Sequence, residues 1–437
     1  MALIPKKINA SYQKSEKDFT RDRQLPFPKL IVFVLSLTAS GKCEGVDIKS
    51  GKFFKNAKRS DLWPNAEAVH RSTITKARQK LDWRIFKDIF RDSVDLAYDL
   101  WPKDASTYEW HGMSVFAVDG STCILPASKE IREEFDKDSG LENIGRGHYP
   151  ECLVSTVYDV FRRIPIARTI VGKDDACERT QAKAMIKHIP SGSIILFDRG
   201  YPSYMFIFSL IENHKGYFIL RCPAKNSFKA IDEFIKSSKD EDIIYINPPD
   251  KLTKKEREQL NPIKLRIVKL TSPDGEVSVL LTNLYDEQTF TANEIIELYF
   301  RRWEVENHYR DEKVYLEIEK FHARLPNGVR QELFAILIMT VISKLLMALT
   351  KEGKIESQFK GAIMGLASEA AILAPEYPEK SVEIFREVLK EISRIKYYRP
   401  KTPRPSQPRV TKRPNNKWNK DKVKKAKETK SKKIRDP

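Results

Sequence analysis

The amino-acid sequence predicts an α/β (α+β) protein in which a mixed β-sheet carries helices on both faces. Residues 113–223 read as the order β-β-β-α-β-α-β. Three successive strands followed by alternating helices and strands are typical of a mixed sheet flanked by helices. Residues 25–105, before this stretch, and residues 330–395, after it, read as helical regions. The sheet is therefore expected to lie between two sets of added helices.

The N-terminal region is helical by its apolar spacing. Within residues 69–90, Ser72 or Thr73 is a candidate N-cap, and apolar side chains then recur at the spacing of one helix: Ile74, Ala77, Leu81, Ile85 and Phe86. Lys76, Arg78 and Lys80 add positive charge to its first turns. A small helical DNA-binding domain has this pattern, and so does an ordinary amphipathic surface helix.

The central region alternates short apolar strands with helices. The first strand, in residues 113–120, ends at Asp119, and the fourth, in residues 191–200, ends at Asp198. Residues 152–160 and 164–172 read as two strands joined by a tight turn. The remaining elements are helices at 178–189 and 201–214 and a strand at 216–223.

Residues 224–290 contain three strand-like runs and read as a β-rich insertion. A long helix over residues 291–313 follows, and Thr291 with Glu294 predicts a capping box at its start. The Pro- and Lys-rich residues 396–437 contain too little apolar surface to offset the cost of ordering, so they are predicted to be disordered in isolation.

The net charge of the 437-residue chain is +18, which favours a polyanionic partner, with nucleic acid ahead of an acidic membrane surface. Much of the excess positive charge lies in residues 396–437, which contain seventeen Lys or Arg and three acidic residues. A soluble protein with a basic tail is the plainer alternative.

Cysteine usage and hydropathy favour a cytoplasmic protein. The five cysteines are scattered, without CxxC spacing, which argues against a disulfide framework or a zinc site. The N-terminus has no apolar signal segment. The most apolar run, residues 333–349, is short for a membrane span and contains Lys344, so a buried helix is predicted.

One face of the predicted helix 291–313 carries an unusual mixture of side chains. Tyr299, Arg302, Glu306 and Lys313 fall within roughly a 60° sector of a regular helix. This face presents a ring, a guanidinium, a carboxylate and an ammonium in a row. A solvated face with an ordinary Arg302–Glu306 pair is the alternative.

Asp119 and Asp198 each end an apolar strand, and the carboxyl ends of strands are where α/β sheets place their chemistry. With Glu306 they form a set of hard oxygen ligands that suits Mg²⁺ or Mn²⁺ rather than zinc. Two such ions about 4 Å apart activate an attacking oxygen and stabilise a leaving oxygen in phosphoryl transfer.

The segments AVDGST (117–122) and LFDRGYPS (196–203), with the run Y-x2-R-x3-E-x6-K (299–313), resemble the DDE transposases of bacterial and archaeal insertion sequences. The resemblance is to the insertion-sequence-four type and runs from roughly residue 25 to residue 350. It implies a ribonuclease-H-like sheet whose first and fourth strands are neighbours. Asp119, Asp198 and Glu306 would then form the catalytic, metal-binding triad.

The same resemblance implies that Tyr299, Arg302 and Lys313 contact DNA phosphates near the cleaved end. Arg199 could reach a phosphate or form a salt bridge, and Trp303 packs on its helix or touches DNA. The implied activity is metal-dependent cleavage and strand transfer at terminal inverted repeats, within a homodimer that pairs two DNA ends. A transposase-derived DNA-binding protein without catalysis and a ribonuclease-H-fold nuclease remain alternatives.

These expectations divide the chain into six regions with different tasks. They are a helical region that binds DNA ends (1–105), the first part of the catalytic core (106–223), the β-rich insertion (224–290), the final core helix (291–325), a helical C-terminal region (326–395) and the basic tail (396–437).

Overall fold

The computed structural model describes most of the chain up to residue 397. The described residues are 3–4, 9–20, 25–38, 44–103, 105–139, 148–225, 227–250, 253, 259–272, 275–351 and 356–397. The predicted disordered tail lies outside them, apart from its first two residues. These two form a short strand, Lys396–Tyr397, that pairs antiparallel with Glu356–Ser357, so the prediction of disorder is wrong for them.

Eight strands of the described residues form one mixed sheet with the order β3-β2-β1-β4-β5-β8-β7-β6. β4 pairs parallel with β1 and with β5, and the other neighbours are antiparallel. In chain order the strands are Val115–Ile124, Glu151–Asp159, Ile164–Gly172, Ile194–Phe197, Tyr217–Pro223, Glu241–Ile246, Ile263–Thr271 and Val277–Thr282.

The predicted succession of the first five strands along the chain is confirmed, and so is the implied placement of the first strand beside the fourth. β1 and β4 are parallel neighbours, with Val115 opposite Ile194 and Ala117 opposite Leu196, as a ribonuclease-H-like sheet requires. The strands of the β-rich insertion continue the same sheet, because β8 pairs with β5 along Ile219–Pro223. β5 therefore has strand partners on both sides, and its backbone groups are not left at an open edge.

Helices cover both faces of the sheet, as predicted. In chain order α1 to α5 are Phe27–Ser36, Val46–Arg59, Arg71–Lys80, Arg84–Leu100 and Ala105–Tyr108. They are followed by α6 to α9, Lys129–Phe135, Glu178–Met185, Tyr204–Asn213 and Lys229–Lys236. The last five, α10 to α14, are Ala292–Phe300, Trp303–Arg310, Pro326–Leu349, Phe359–Ser368 and Pro378–Arg394.

The two faces of the sheet bury different sets of side chains, and β1 shows the division by its alternation. Val115 and Ala117 belong to a hydrophobic cluster with the N-terminal helices, α10 to α12 and the C-terminal helices. Phe116 and Val118 belong to a second cluster with α7, α8 and α9. The N-terminal and C-terminal helices thus share one hydrophobic core with the sheet.

The single helix predicted within residues 69–90 is wrong in detail, because the chain forms α3 and α4 with a break at Leu81–Trp83. The N-cap of α3 is His70, whose Nδ1 accepts the N–H of Ser72 at 3.3 Å, rather than Ser72 or Thr73. Asp82 ends the run, since its Oδ1 accepts the N–H of Arg84 at the start of α4 at 2.9 Å. A side-chain acceptor here satisfies a backbone donor that has no helical partner.

Arg78, one of the three basic residues of α3, is buried and structural. It donates to Glu332 at 2.8 Å, to Gln331 at 3.0 Å and to the carbonyl oxygen of Gly328 at 2.8 Å, all on α12. This side chain ties the N-terminal helices to α12 and is not available to a phosphate.

α12 contains the most apolar run of the sequence, and the prediction of a buried helix is confirmed. By length and composition it is the one helix of the described residues that could cross a membrane. In its most apolar window 78% of the residues are buried inside the protein, which is typical of the core helix of a soluble protein.

Candidate active site

Asp119 and Asp198 lie where the parallel pairing of β1 and β4 ends. β4 stops at Phe197, and Asp198 follows it directly, as predicted. Asp119 does not end its strand, because β1 continues to Ile124 against β2. The prediction failed there because β1 loses its β4 partner after Ala117 but keeps its antiparallel partner. The two aspartates therefore lie beside an opening in the sheet, the space along β1 from Val118 onward that β4 no longer fills because it stops at Phe197.

The electrostatics of Asp119 show which charged groups surround it. The pKa of its carboxyl is raised to about 7, mainly by burial and in smaller part by the charges of Asp198 and Glu178. The Arg302 guanidinium opposes this rise, as does the Gly120 N–H, which donates to Asp119 Oδ1 at 3.0 Å. The structure thus brings Asp119, Asp198 and Arg302 into one neighbourhood.

Glu306 is linked to the surroundings of Asp119 by its ion pair with Arg302. The two side chains form an ion pair of 2.6 Å in which the arginine is buried and the glutamate is 37% exposed. The Arg302 Nε is buried and has no hydrogen-bond partner among the described residues. A buried donor without a partner costs free energy, so the Arg302 Nε lacks a hydrogen-bond acceptor that a bound molecule could supply.

The helical segment that carries Arg302 and Glu306 is interrupted, which corrects the single long helix predicted over residues 291–313. The capping box of Thr291 and Glu294 is present. α10 ends at Phe300, a turn at Arg301–Arg302 leads into α11, and residues Asp311–Tyr315 form a π-helical turn. Single π turns of this kind occur often at functional sites.

Tyr299 precedes the first of these interruptions, and Lys313 lies within the π-helical turn. The Tyr299 ring is buried, 6.0 Å from the Arg302 guanidinium, and its hydroxyl has no hydrogen-bond partner among the described residues. Lys313 Nζ donates to the carbonyl oxygen of Thr122 on β1 at 2.6 Å. Tyr299 therefore lies next to the site beside Arg302, and Lys313 lies against β1 three residues beyond Asp119.

The remaining predicted residues are exposed. Trp303 is 51% exposed, and its ring lies 5.4 Å from the Arg302 guanidinium. Arg199, beside Asp198, is 60% exposed and pairs with Glu276 at 3.6 Å, which is the salt bridge considered as an alternative. An exposed pair of this kind contributes little to stability and leaves Arg199 able to exchange partners.

A buried polar network that sequence reasoning missed lies below Asp119. Arg168 on β3 pairs with Glu312 at 2.9 Å and donates from Nε to the Thr156 hydroxyl at 3.0 Å. The Tyr309 hydroxyl lies 3.0 Å from that of Thr156 and 2.8 Å from the carbonyl oxygen of Asp119. These contacts fix α11 to β1 and β2. No local pattern predicts them, because they join residues far apart in the sequence.

Glu178, the first residue of α7, is a carboxylate of this site that the sequence did not reveal. Burial and the charge of Asp198 raise its pKa. Its carboxyl group lies over Gly120, and a Cβ added to that glycine would meet the Glu178 carboxyl carbon at 2.8 Å. The sequence offers only its position at the start of a predicted helix.

The donor set fits a divalent cation by its chemistry. Two aspartates and a glutamate supply hard oxygen ligands. Burial, and in smaller part the charges of Asp198 and Glu178, raise the pKa of Asp119, and a bound cation would offset both effects. Among the residues that the structure describes, no group of three or more His, Cys, Asp or Glu side chains stands ready to hold an ion.

Comparisons with known proteins identify relatives of this chain. Residues 110–342 match the family model described as the transposase DDE domain. The chain is 23% identical over 342 residues to the transposase InsG for insertion sequence element IS4 of Escherichia coli, covering 77% of this chain and 73% of InsG. It is 30% identical over 151 residues to the putative transposase y4zB of Sinorhizobium fredii, covering 34% of this chain and 41% of y4zB.

A solved structure of the piggyBac transposase synaptic complex with hairpin DNA is also similar. It is 11% identical, with a TM-score of 0.43, and the alignment covers 90% of this chain and 81% of that one.

Proposed function

This chain belongs to the transposases with a DDE domain, enzymes that cleave and join DNA, and we propose that it moves an insertion sequence by a cut-and-paste route. In this proposal a homodimer binds the terminal inverted repeats and pairs the two ends, in the cytoplasm, at the nucleoid. The observation that carries it is the convergence of Asp119, Asp198 and the Arg302–Glu306 pair beside the opening in the sheet.

Asp119, Asp198 and Glu306 are the proposed catalytic residues and the ligands of the divalent metal that the family typically uses. We propose two ions, Mg²⁺ or Mn²⁺, which activate the attacking oxygen and stabilise the leaving oxygen when bound. Arg302 holds Glu306 beside the aspartates at 2.6 Å. Water and then the freed 3′-hydroxyl would be the successive nucleophiles.

The cationic and aromatic residues around the carboxylates are proposed to hold DNA. Lys313 and Arg199 lie at the rim of the site and are suited to phosphate contacts. Trp303 offers an exposed ring on which a base can stack. Arg302 and the unpartnered hydroxyl of Tyr299 are more deeply placed, so contact with a phosphate would require the DNA end to enter the opening.

The division of labour along the chain is also a proposal. The N-terminal helices would recognise the DNA ends, although Arg78 takes no part because α12 engages it. The helices after residue 326 would support the catalytic core, and the basic tail would hold DNA without reading its sequence.

The test uses the full chain and duplex DNA that carries the inverted repeats flanking its reading frame. In Mg²⁺ we expect cleavage at the repeat ends followed by a strand-transfer product. Asp119→Ala, Asp198→Ala and Glu306→Ala should each abolish cleavage and retain DNA binding, because two-ion catalysis needs all three carboxylates.

The alternative functions would give different results in that cleavage experiment. Binding without cleavage in the wild-type chain would favour a DNA-binding protein derived from a transposase. Cleavage without strand transfer would favour a nuclease. Full cleavage by any one alanine variant would remove that residue from the triad.

A further inference from the structure

We infer that Glu178 is a fourth carboxylate of the active site, and that it supplies an oxygen ligand to the divalent cation held by Asp198. This inference rests on the proposed metal-dependent function and adds a residue from the opposite face of the sheet. Four observations carry it, each independent of the sequence motifs that pointed to the other three carboxylates.

The first observation is the path that Glu178 takes to the site. Side chains alternate along β1, so Gly120 faces the α7 side of the sheet with Val118, while Asp119 faces the α11 side. Gly120 has no side chain, and the space of its missing Cβ is filled by the Glu178 carboxyl group at 2.8 Å. β4 has already ended at Phe197, so no strand separates this carboxyl group from the opening beside β1.

The second observation is a tether between α7 and the turn that carries Asp198. Arg179, the neighbour of Glu178, donates from Nε at 3.0 Å and from Nη2 at 2.8 Å to the carbonyl oxygen of Gly200. The N–H of Gly200 in turn donates to Asp198 Oδ1 at 2.9 Å. The start of α7 is therefore held at the turn that follows β4, and Glu178 with it.

The third observation is the hydroxyl of Tyr201. Its side chain is fully buried, and its hydroxyl lies beside the carboxyl group of Glu178. Burial raises the pKa of that carboxyl, and a hydrogen bond from the Tyr201 hydroxyl lowers it. The charges of Glu178, Asp119 and Asp198 all act on this hydroxyl, so it is directed into the space between these carboxylates. No group among the described residues donates to the hydroxyl oxygen of Tyr201, and a water of a hydrated cation in this space would donate to it.

The fourth observation is that the arrangement has no evident value for stability. Acidic residues in the first turn of a helix usually gain from the helix dipole. Here the carboxylate of Glu178 is instead half-buried beside the negative charge of Asp198 and has no ion-pair partner among the described residues. Like charges brought together in this way become favourable when a cation lies between them.

Calorimetric titration of the metal-free full chain with Mn²⁺ tests this role without DNA cleavage. We expect Glu178→Gln to weaken Mn²⁺ binding by about tenfold or more, in the range seen when a carboxylate at or near a metal is removed. Asp174→Asn removes one negative charge from an exposed residue just before α7 and should leave the affinity unchanged.

Gly120→Ala gives a second route to the same result. The added methyl group would displace the Glu178 carboxyl group, whose atoms lie 2.8 Å from its position. We expect weaker Mn²⁺ binding in this variant as well, but no further loss when Gly120→Ala is combined with Glu178→Gln, since the two changes act on one group. Thermal unfolding without Mn²⁺ checks that each variant folds.

The outcomes separate this inference from the proposed function. If Glu178→Gln binds Mn²⁺ as the wild type does while Asp119→Asn binds weakly, Glu178 is not a ligand and the proposed function stands. If the wild-type chain binds no Mn²⁺, or if Asp119→Asn changes nothing, both the proposed metal site and the role of Glu178 are wrong.

Discussion

The carboxyl group of Asp119 makes stability depend on pH in a direction opposite to that of most carboxylates. Its pKa in the folded chain is about 7, above the ordinary value of 3.8, so folding is favoured while it is protonated. Its unfavourable contribution begins near the ordinary pKa and is complete above pH 7. In the metal-free chain, Asp119→Asn should therefore gain stability over the wild type by about 2–3 kcal/mol as the pH rises from 5 to 8.

Urea unfolding of both proteins at a series of pH values measures this difference. A difference that stays constant from pH 5 to pH 8 would show that Asp119 is not held at a raised pKa. Added Mn²⁺ should reduce the difference at pH 8, because the cation stabilises the ionised carboxylate.

Arg302 and Lys313 are expected to affect DNA processing more than folding. Arg302→Ala and Lys313→Ala should each weaken end cleavage by roughly 1.5–3 kcal/mol, the contribution of a charge-assisted hydrogen bond. Arg302→Ala also releases Glu306 from its ion pair. Exposed Arg310 lies on the same stretch of helix, so Arg310→Ala is the matched control.

Cleavage rates on end-bearing DNA, with circular dichroism of each variant, distinguish a DNA-binding role from a structural one. Unfolding of the Arg302 or Lys313 variant would assign that residue to the fold. A loss of cleavage as large in Arg310→Ala would point to a general effect of charge.

The candidate residues differ in how far the sequence could predict them. Asp119, Asp198 and Glu306 were predicted because each stands in a local pattern, at an apolar strand or on a charged helix face. Glu178 and Tyr201 were not, because their importance depends on Gly120 lying beneath α7 and on β4 ending before β1 does. Such relations join distant parts of the chain and have no local signature.

The buried pair between Arg168 on β3 and Glu312 at the π-helical turn should fix the position of α11 against the sheet. Both side chains are almost fully buried. Burial raises the pKa of Glu312, but the charges of Arg168 and His308 outweigh burial and hold this pKa at about 2, below its ordinary value of 4.5. This pair stabilises the fold above pH 4.5, and its contribution is lost as the pH falls towards 2.

Glu312→Gln should destabilise the chain by about 3–5 kcal/mol at pH 7, because it leaves the buried Arg168 charge without a counter-ion. The double variant Arg168→Met, Glu312→Met should lose less than Glu312→Gln alone, since no unpaired charge remains. Urea unfolding at pH 7 compares the three proteins. Equal stability of the single variant and the wild type would show that the pair does not hold α11.

Helix boundaries show where apolar periodicity fails as a predictor. The pattern continues through Leu81–Trp83, and charged residues continue through Arg301–Arg302, yet the chain turns at both places. At the first, Asp82 supplies a side-chain acceptor for α4 that competes with helix continuation. At the second, the structure gives no comparable capping contact from a side chain.

The basic tail is expected to act on DNA affinity without sequence preference. Deleting residues 398–437, which keeps the strand pairing of Lys396–Tyr397, should lower the affinity for every duplex about equally. Each lost phosphate contact should also reduce the slope of log affinity against log salt by about 0.9. The preference for element ends should survive, because phosphate contacts do not read bases.

Binding measured over a salt series, on end-bearing and random duplexes, decides the role of the tail. An unchanged slope would mean that the tail only keeps the protein soluble. A lost preference for ends would mean that it reads sequence.

The plan of the whole molecule was predictable in part. The order of the first five strands followed from their apolar runs, and helices at both ends followed from their spacing. The sequence did not predict that β8 pairs with β5, or that the N-terminal and C-terminal helices share one core. Pairing and packing between distant segments produce no periodic pattern in the sequence.

The packing of the N-terminal helices against α12 has a consequence for synthesis on the ribosome. Trp83 stacks on Phe334 with 5.6 Å between ring centroids, and buried Arg78 pairs with Glu332. Until α12 emerges, the first hundred residues cannot complete their core, so an interrupted product is expected to be removed by proteases. A fragment that bound the DNA ends without cutting them would compete with the enzyme. Since the N-terminal helices are proposed to bind the DNA ends, we expect their dependence on α12 to keep a broken translation product from acting as such an inhibitor.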